Sequence, residues 1–318
     1  MSYYDVFNGD ADGICALHQL RLEEPRDAVL VTGAIRDIAL LQRVDAKAGD
    51  AVTVLDVSVE SNRDALIALL ARGVAVQYFD HHFPGELPKH RQFSATIDTS
   101  SEVCTGILVD RHLRGRRRPW AAVAAFGDAL NEPAHALAAS LTLDASQVAS
   151  LRELGEALAY NAYGDSEADL IVHPAELYRT IARYADPFAA LANEPVIARI
   201  SEVRREDLAL ARGLKPTHEL ASASIYVLPD AAWSRRVRGA LCNELARQNP
   251  GRAHAICTPN EEGGYTVSVR APRAKPTGAD SLCRSFASGG GRAAAGGINN
   301  LPSQSLPELV RRLEEAFK

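Results

Sequence analysis

The first half of the chain alternates short apolar runs with amphipathic stretches. Four of the apolar runs have the length of a β-strand: residues 4–8, 28–32, 52–56 and 74–79. Apolar residues at helical spacing predict helices over 14–22 and 61–72, the second with Ser61 as N-cap and Gly73 just beyond its end. Short apolar strands alternating with helices predict an α/β fold, a doubly wound parallel sheet.

The middle of the chain has a helical pattern. A Ser/Thr cluster at 96–106 precedes an apolar stretch and predicts a helix cap. From residue 131 to about 214 the chain is rich in Ala, Leu and Glu at helical spacing, with prolines as breaks. We interpret this region as a helical connector leading away from the first domain.

The last third of the chain predicts a second, smaller α+β domain. Strand patterns cover residues 222–228, 253–257 and 265–270, and a helix pattern covers 306–317. The predicted organisation is therefore a first domain over 1–190, a helical linker over 191–220 and a second domain over 221–318.

Composition narrows the class of protein. A length of 318 residues suits about two domains, and 47% hydrophobic with 24% charged residues is typical of a globular protein. The net charge of −5 argues against a polycation that coats nucleic acid. No apolar run approaches the roughly 20 residues of a membrane span, so no membrane partner is expected.

The location of the protein is predicted from its N-terminus and its cysteines. Five dispersed cysteines without a CxxC pair favour buried thiols in a reducing compartment over disulfides or a zinc site. The N-terminus carries no basic region of the kind that begins a signal peptide. Both observations favour a cytoplasmic protein.

Polar residues follow several of the apolar runs. Asn8, Asp10 and Asp12 come directly after the first run, in the sequence Asn-Gly-Asp-Ala-Asp-Gly. Three further groups follow later runs: Asp56, the triplet Asp80-His81-His82, and Asp128 after Gly127. Because ligands of open α/β sheets bind beyond the carboxyl ends of the strands, these residues are expected to meet at one edge.

Such a cluster has a clear chemical meaning. Carboxylates gathered at one place are costly to bury without a compensating cation. Oxygen ligands with one or two histidines suit Mn²⁺ or Mg²⁺, and two ions about 4 Å apart can activate water for attack on phosphorus. Asp10 and Asp12 are positioned to reach different ions, with Asp56 as the bridge. Each motif alone is typical of a turn or cap; their combination favours a metal site.

These motifs resemble those of the DHH phosphoesterases. That family includes single-strand exonucleases, oligoribonucleases, cyclic-dinucleotide phosphodiesterases, exopolyphosphatases and manganese-dependent pyrophosphatases. The resemblance implies two Mn²⁺ ions, or Mg²⁺ in their place, held by Asp10, Asp12, Asp56, His81 and Asp128, with Asn8 where exonuclease members have a further acid. It also implies that His82 contacts the phosphate or assists the leaving group and that Asp80 orients a histidine.

A glycine run in the second domain carries a further resemblance. A run such as Gly289-Gly290-Gly291 is by itself typical of a flexible loop, although its N–H groups can also face an anion. No Gly-Lys-Ser/Thr follows, so it is not a P-loop. It resembles the glycine motif of the DHH-associated C-terminal domain, with Arg292 where that motif has histidine. The resemblance implies that the run, Arg292 and Arg270 bind the substrate phosphate.

The function expected from these residues is metal-dependent hydrolysis of phosphodiester bonds by a two-metal mechanism. The expected partner is a short oligonucleotide or a small nucleotide, and a homodimer is a candidate assembly. Two alternatives stay open. One is a phosphatase or exopolyphosphatase acting on monoesters or anhydrides; the other is a nucleotide-binding protein without catalysis, suggested by Asn8 and Arg292.

Overall fold

The computed structural model describes residues 1–318, which form two compact units, Met1–Glu202 and Val203–Lys318. The strands of the first unit are β1 (Tyr3–Phe7), β2 (Ala28–Val31), β3 (Ala51–Leu55), β4 (Ala75–Asp80) and β5 (Phe93–Ile97). Its helices are α1 (Ala11–Glu23), α2 (Arg63–Ala71), α3 (Thr105–His112), α4 (Arg118–Gly127), α5 (Asn131–Ala139), α6 (Ala145–Asn161), α7 (Pro174–Ile181) and α8 (Pro187–Asn193). Helix α9 (Pro195–Arg212) crosses the boundary between the units.

The sheet of the first unit is parallel throughout, in the order β2-β1-β3-β4-β5. On one face, Val52 and Val54 of β3 join a buried cluster with Leu66 of α2. On the other face, α3 packs on β4, with the rings of Phe79 and His112 5.2 Å apart. Helices thus cover both faces, and the predicted doubly wound α/β fold is confirmed.

Two local predictions in this unit need correction. Strand β5 has no counterpart in the sequence prediction, because residues 94–96 of this edge strand are exposed and lack apolar alternation. Ser61 is not the N-cap of α2: it lies within a 3₁₀ turn, and Asn62 occupies the cap position without a side-chain hydrogen bond to the start of the helix. Gly73 ends the helix at φ +81°, where only glycine is free of strain.

Helices α5 to α8 pack within the first unit, and the expectation that this region leads away from it was wrong. A Cβ atom on Gly155 of α6 would lie 2.4 Å from the carbonyl oxygen of Val123 in α4. Glycine is what lets the two backbones approach so closely. The prolines that predicted breaks, Pro174, Pro187 and Pro195, are the first residues of α7, α8 and α9, a position where proline is favourable.

The second unit is an α+β domain with a mixed six-stranded sheet, in the order β10-β11-β9-β8-β7-β6. Its strands are β6 (His218–Glu219), β7 (Ala223–Val227), β8 (Ala253–Pro259), β9 (Tyr265–Arg270), β10 (Gly289–Arg292) and β11 (Ala295–Leu301). Its helices are α10 (Ala232–Gln248), α11 (Ala279–Arg284) and α12 (Leu306–Ala316). The predicted linker over 191–220 contains the end of α8, the whole of α9 and the edge strand β6.

The glycine run forms the edge strand β10, paired antiparallel with β11; the interpretation as a flexible loop was wrong. A Cβ atom on Gly289 would lie 1.7 Å from the carbonyl oxygen of Cys283, and one on Gly296 would lie 2.6 Å from its sulfur. The glycines therefore let the β10–β11 hairpin pack directly against α11. The periodic apolar signal of a strand is absent because that contact requires bare backbone.

Two further observations concern the whole chain. All five cysteines are free and buried, as their dispersion predicted. No helix combines the length and the apolar composition that crossing a membrane requires.

Candidate metal centre

The first motif forms a tight turn between β1 and α1. Asp10 is the N-cap of α1, and its Oδ1 accepts hydrogen bonds from the backbone N–H groups of Asp12 and Gly13 at 3.0 and 3.1 Å. The Asn8 side chain closes the turn by accepting from the N–H of Asp10 at 3.3 Å. A Cβ atom on Gly13 would lie 2.2 Å from the carbonyl oxygen of Asn8. The turn therefore requires glycine where the motif has it.

Asp12 is held by a helix far away in the sequence. The backbone N–H groups of Thr105 and Gly106, at the start of α3, each donate to one of its carboxylate oxygens at 2.7 Å. Cys104, at the cap position of α3, makes no side-chain cap hydrogen bond. The Ser/Thr cluster at 96–106 is therefore not the cap that its composition predicted. Asp12 satisfies the free N–H groups at the helix start instead, and is itself held in one orientation.

Asp56 follows β3 in a left-handed backbone conformation, with φ +58°. Aspartate tolerates this region better than most residues, and such conformations cluster at functional sites. Its backbone N–H donates to the carbonyl oxygen of Phe79 on β4 at 3.0 Å. Its side chain is buried, and the Thr105 hydroxyl donates to it at 3.5 Å. The turn thus directs a carboxylate into the edge of the sheet.

The Asp-His-His triplet closes β4, and each ring is fixed by one hydrogen bond. His81 Nδ1 lies 3.0 Å from the carbonyl oxygen of Val103, which can only accept. In the neutral ring the proton is then on Nδ1, and the lone pair of Nε2 faces the cluster. His82 Nδ1 donates to Asp80 Oδ1 at 2.8 Å. Asp80 is fully buried, so this hydrogen bond fixes the orientation of the His82 ring from the interior side.

Asp128 lies at the end of a helix. It is the C-cap residue of α4, and Ala129 after it has φ +61°, which ends the helix. A Cβ atom on Gly127 would lie 2.2 Å from the Cβ of Ala11 and 3.0 Å from the carbonyl oxygen of Gly155. The close packing of α1, α4 and α6 at this glycine therefore sets the position of Asp128.

These residues form two overlapping groups with the spacing of metal ligands. One ligand atom each from Asp56, His81 and His82 lies within 4.8 Å of the others, and the same holds for Asp12, His81 and Asp128. His81 belongs to both groups, but the one free lone pair of its Nε2 can bind a single ion, so the bridging role of Asp56 stays a prediction. His81 Nε2 lies 3.4 Å from Asp56 Oδ1. Asp10 lies outside both groups.

The electrostatics of the cluster favour a cation. No lysine or arginine forms an ion pair with Asp10, Asp12, Asp56 or Asp128. Burial, and then the charges of Asp10 and Asp12, raise the pKa of Asp56 well above its usual range. Burial and the charges of the same two residues raise the pKa of Asp128 to about 8. Buried, mutually repelling carboxylates beside an imidazole fit divalent ions of the Mn²⁺ and Mg²⁺ type.

His82 has a different electrostatic environment. Its hydrogen bond to Asp80 is the main reason that its pKa is raised above the usual value for histidine. The side chain is 46% exposed, and Nδ1 lies 3.9 Å from Asp56 Oδ1. A histidine that is held on one nitrogen and open to solvent on the other suits proton donation to a bound ligand.

The predicted phosphate-binding residues lie in the second unit. Arg292 pairs with Ala295 across β10 and β11, and Ala295 pairs with Arg270 on β9. Directly opposed residues share a face of the sheet, so the two arginines flank a strip about 10 Å wide. Gly290 is open to its surroundings, since a Cβ atom there would meet nothing within 4 Å. Arg270 Nε donates to Asn243 Oδ1 at 2.6 Å, which orients the guanidinium.

The structure brings most of the predicted site residues together. Six of them meet at the carboxyl edge of the first sheet: Asp10, Asp12, Asp56, His81, His82 and Asp128. Asn8 stabilises the turn that carries Asp10, and Asp80 orients His82. The glycine run, Arg270 and Arg292 lie on neighbouring strands of the second sheet. The sequence prediction missed the roles of Val103, Thr105 and Gly106. Small residues at 105–106 before an apolar stretch indicate a helix start whose backbone N–H groups can bind a side chain from elsewhere in the chain.

Comparison with known proteins gives matches at the level of structure only. No protein family profile and no curated protein matches the chain. A manganese-bound exonuclease RecJ matches with a TM-score of 0.59 at 19% identity, over 99% of this chain and 89% of that one. RecJ from Thermus thermophilus with Mn²⁺ matches with 0.61 at 20%, over 99% of this chain and 51% of that one. A pGpG-specific phosphodiesterase, PggH from Vibrio cholerae, matches with 0.55 at 14%, over 98% of both chains.

The matches cover nearly all of the chain in both units. At these identities they show the fold, and the metals and substrates named for those proteins belong to those proteins. The match therefore includes both the parallel sheet of the first unit and the mixed sheet of the second. The chain therefore shares the overall fold of these solved structures, the RecJ exonucleases among them.

Proposed function

We propose that the protein is a metal-dependent phosphoesterase that hydrolyses phosphodiester bonds of short oligonucleotides or small nucleotides by a two-metal mechanism. The observation that carries the proposal is the pair of overlapping ligand groups that share His81, built from buried and half-buried carboxylates without a lysine or arginine partner. The structural neighbours RecJ and PggH, an exonuclease and a phosphodiesterase, support the same reaction class.

Asp12, Asp56, His81 and Asp128 would hold the ions, with Asp10 and Asn8 at the side of the α1 turn. When bound, two divalent cations supply Lewis acidity: they neutralise charge on phosphoryl oxygens and make a nearby water more acidic. The chain fixes the ligands beforehand. Asp12 is oriented by α3, and His81 by the Val103 carbonyl. Ligands that are already in place need little reorganisation when substrate arrives.

His82 is the proposed proton donor to the leaving oxygen. Its Nδ1–H is held by Asp80, which keeps Nε2 directed outward and favours the protonated ring. Such general acid catalysis contributes about 10²- to 10⁴-fold to a rate. In the second unit, Arg270, Arg292 and the glycine strand β10 would bind a phosphate. A guanidinium group suits this role because it can donate two parallel hydrogen bonds to the oxygens of one phosphate.

The experiment is a hydrolysis screen with Mn²⁺ and with Mg²⁺, on a 5′-phosphorylated dinucleotide, a bisphosphorylated nucleoside and polyphosphate. We expect the dinucleotide to be the best substrate. Asp56→Asn should abolish turnover, because it removes a buried ligand with little change in shape. Asp27→Asn, an exposed aspartate outside the cluster, is the matched control.

The outcome separates the candidate functions. Preferred cleavage of polyphosphate or of the monoester would favour a phosphatase or exopolyphosphatase. Binding of the dinucleotide without turnover at saturating Mn²⁺ would favour a nucleotide-binding protein, the alternative suggested by Asn8 and Arg292. Equal activity of Asp56→Asn and Asp27→Asn would contradict the proposed site.

A further inference from the structure

The residue after the Asp-His-His triplet is an exposed aromatic. Phe83 is 69% exposed, and it is the single exposed residue among the phenylalanines, tyrosines and tryptophans of the chain. Isolated exposed apolar residues are common and need no explanation by themselves. The position of Phe83 is what calls for an explanation: its Cα lies about 3.8 Å from that of His82, the proposed proton donor.

Side-chain contacts hold residues on both sides of Phe83. His82 before it is tied to Asp80 at 2.8 Å. After it, the Arg63 guanidinium donates to the carbonyl oxygen of Glu86 and lies 3.8 Å from the Glu86 carboxylate. Gly85 allows the turn between them at φ +62°. These contacts restrict the loop that carries the ring, which reduces the conformational entropy lost on binding.

A ring at this place has one evident use. Phe83 directly follows His82 and is exposed, so a nucleoside that extends from a phosphate at the metal centre past His82 would have this ring within reach. An exposed aromatic face stacks on any nucleobase, and base–aromatic stacking is tolerant of sequence. Aliphatic or polar residues at the same position would offer no such surface.

We propose that Phe83 is a specificity-determining residue that stacks on the nucleobase next to the scissile phosphate and directs the site toward nucleoside-bearing diesters. This inference rests on the proposed function of the metal centre. It predicts weak discrimination among the four bases and strong discrimination against substrates that carry no base.

The test compares the 5′-phosphorylated dinucleotide with its abasic analogue, in which hydrogen replaces each base, at saturating Mn²⁺. We expect Phe83→Ala to reduce the ratio of the two kcat/KM values by about 5- to 150-fold, the range that stacking on one base provides. Phe83→Trp should keep the ratio near that of the wild type. Ile67→Ala, an exposed apolar residue on α2, is the matched control. A ratio that Phe83→Ala leaves unchanged overturns the inference.

Equilibrium binding of the dinucleotide with Mn²⁺ separates this inference from the proposed function. If the wild type turns over no phosphoester, the proposed function fails and the dissociation constants decide about Phe83. An affinity of Phe83→Ala that is about 5- to 150-fold weaker would support stacking. An equal affinity of the two proteins, or no binding by the wild type, would overturn it. Since the ring is exposed, its removal leaves the fold intact.

Discussion

Substitution of Asp128 by asparagine should stabilise the metal-free protein. The pKa of the Asp128 carboxyl is about 8 in the folded chain, against 3.8 for the free group. At neutral pH this carboxyl must therefore take up a proton on folding. The free energy of that uptake between pH 3.8 and pH 7 is about 4 kcal/mol, at about 1.4 kcal/mol for each pH unit.

The sign and size of the effect follow from this linkage. A carboxyl whose folded pKa is raised leaves stability intact below pH 3.8 and lowers it as the pH rises toward 8. Asparagine removes that loss while keeping the shape. Since 1 kcal/mol corresponds to about 2–4 °C for a domain of this size, the Tm of Asp128→Asn in EDTA should rise by about 8 °C or more at neutral pH.

Bound metal should reverse the order of the two Tm values, so that the wild type becomes more stable than Asp128→Asn. A cation bound to the folded state at 100 times its Kd stabilises the wild type by about 2.7 kcal/mol, and Asp128→Asn should lose most of that gain. The assay is thermal unfolding followed by circular dichroism, in EDTA and in saturating MnCl₂, from acidic to neutral pH. Asp27→Asn controls for the loss of one negative charge. A lower Tm of Asp128→Asn in EDTA, with an undiminished Mn²⁺ shift, would refute the reasoning.

Other predictions concern the packing around the site. Burial lowers the pKa of His18 to about 4, so the stability that neutral His18 provides is complete above pH 6.5 and should fall by about 3 kcal/mol as the pH drops to 4; urea unfolding should show a flatter pH profile for His18→Phe. Gly155→Ala should destabilise the protein by about 1–3 kcal/mol and weaken Mn²⁺ binding by calorimetry, because its Cβ would overlap the Val123 carbonyl and displace the helix that carries Asp128. Gly239→Ala in α10, where a Cβ meets nothing within 4 Å, should instead raise stability by about 0.5–1 kcal/mol in the same urea assay; a loss of stability there would contradict the helix-propensity argument.

The regular part of the fold could be read from local pattern. Strands such as β3 and β4 are mostly buried, so most of their residues are apolar and the strands are easily recognised. The edge strands escaped prediction because a strand that buries little has no apolar period. Strand β5 is mostly exposed, and β10 is a glycine strand whose bare backbone is required by α11.

For the candidate site, the sequence by itself determined which chemical groups reach the edge of the sheet. Parallel strands all end at the same side, so Asp10, Asp12, Asp56, Asp80 and both histidines could be assigned to that edge before any coordinates. Their residue types already pointed to divalent cations. Asp128 was assigned to the same edge because it follows Gly127 at the end of an apolar run.

Only the tertiary structure decided how those groups are held and shared. The N–H groups of α3 orient Asp12 from 93 and 94 positions away along the chain. His81, rather than Asp56, belongs to both ligand groups, and Phe83 stands exposed beside them. Sequence spacing determines which side chains can lie together within one helix, strand or turn. The contacts at this site depend instead on how closely separate helices pack. Small residues allow such close packing, but their presence in the sequence does not predict it.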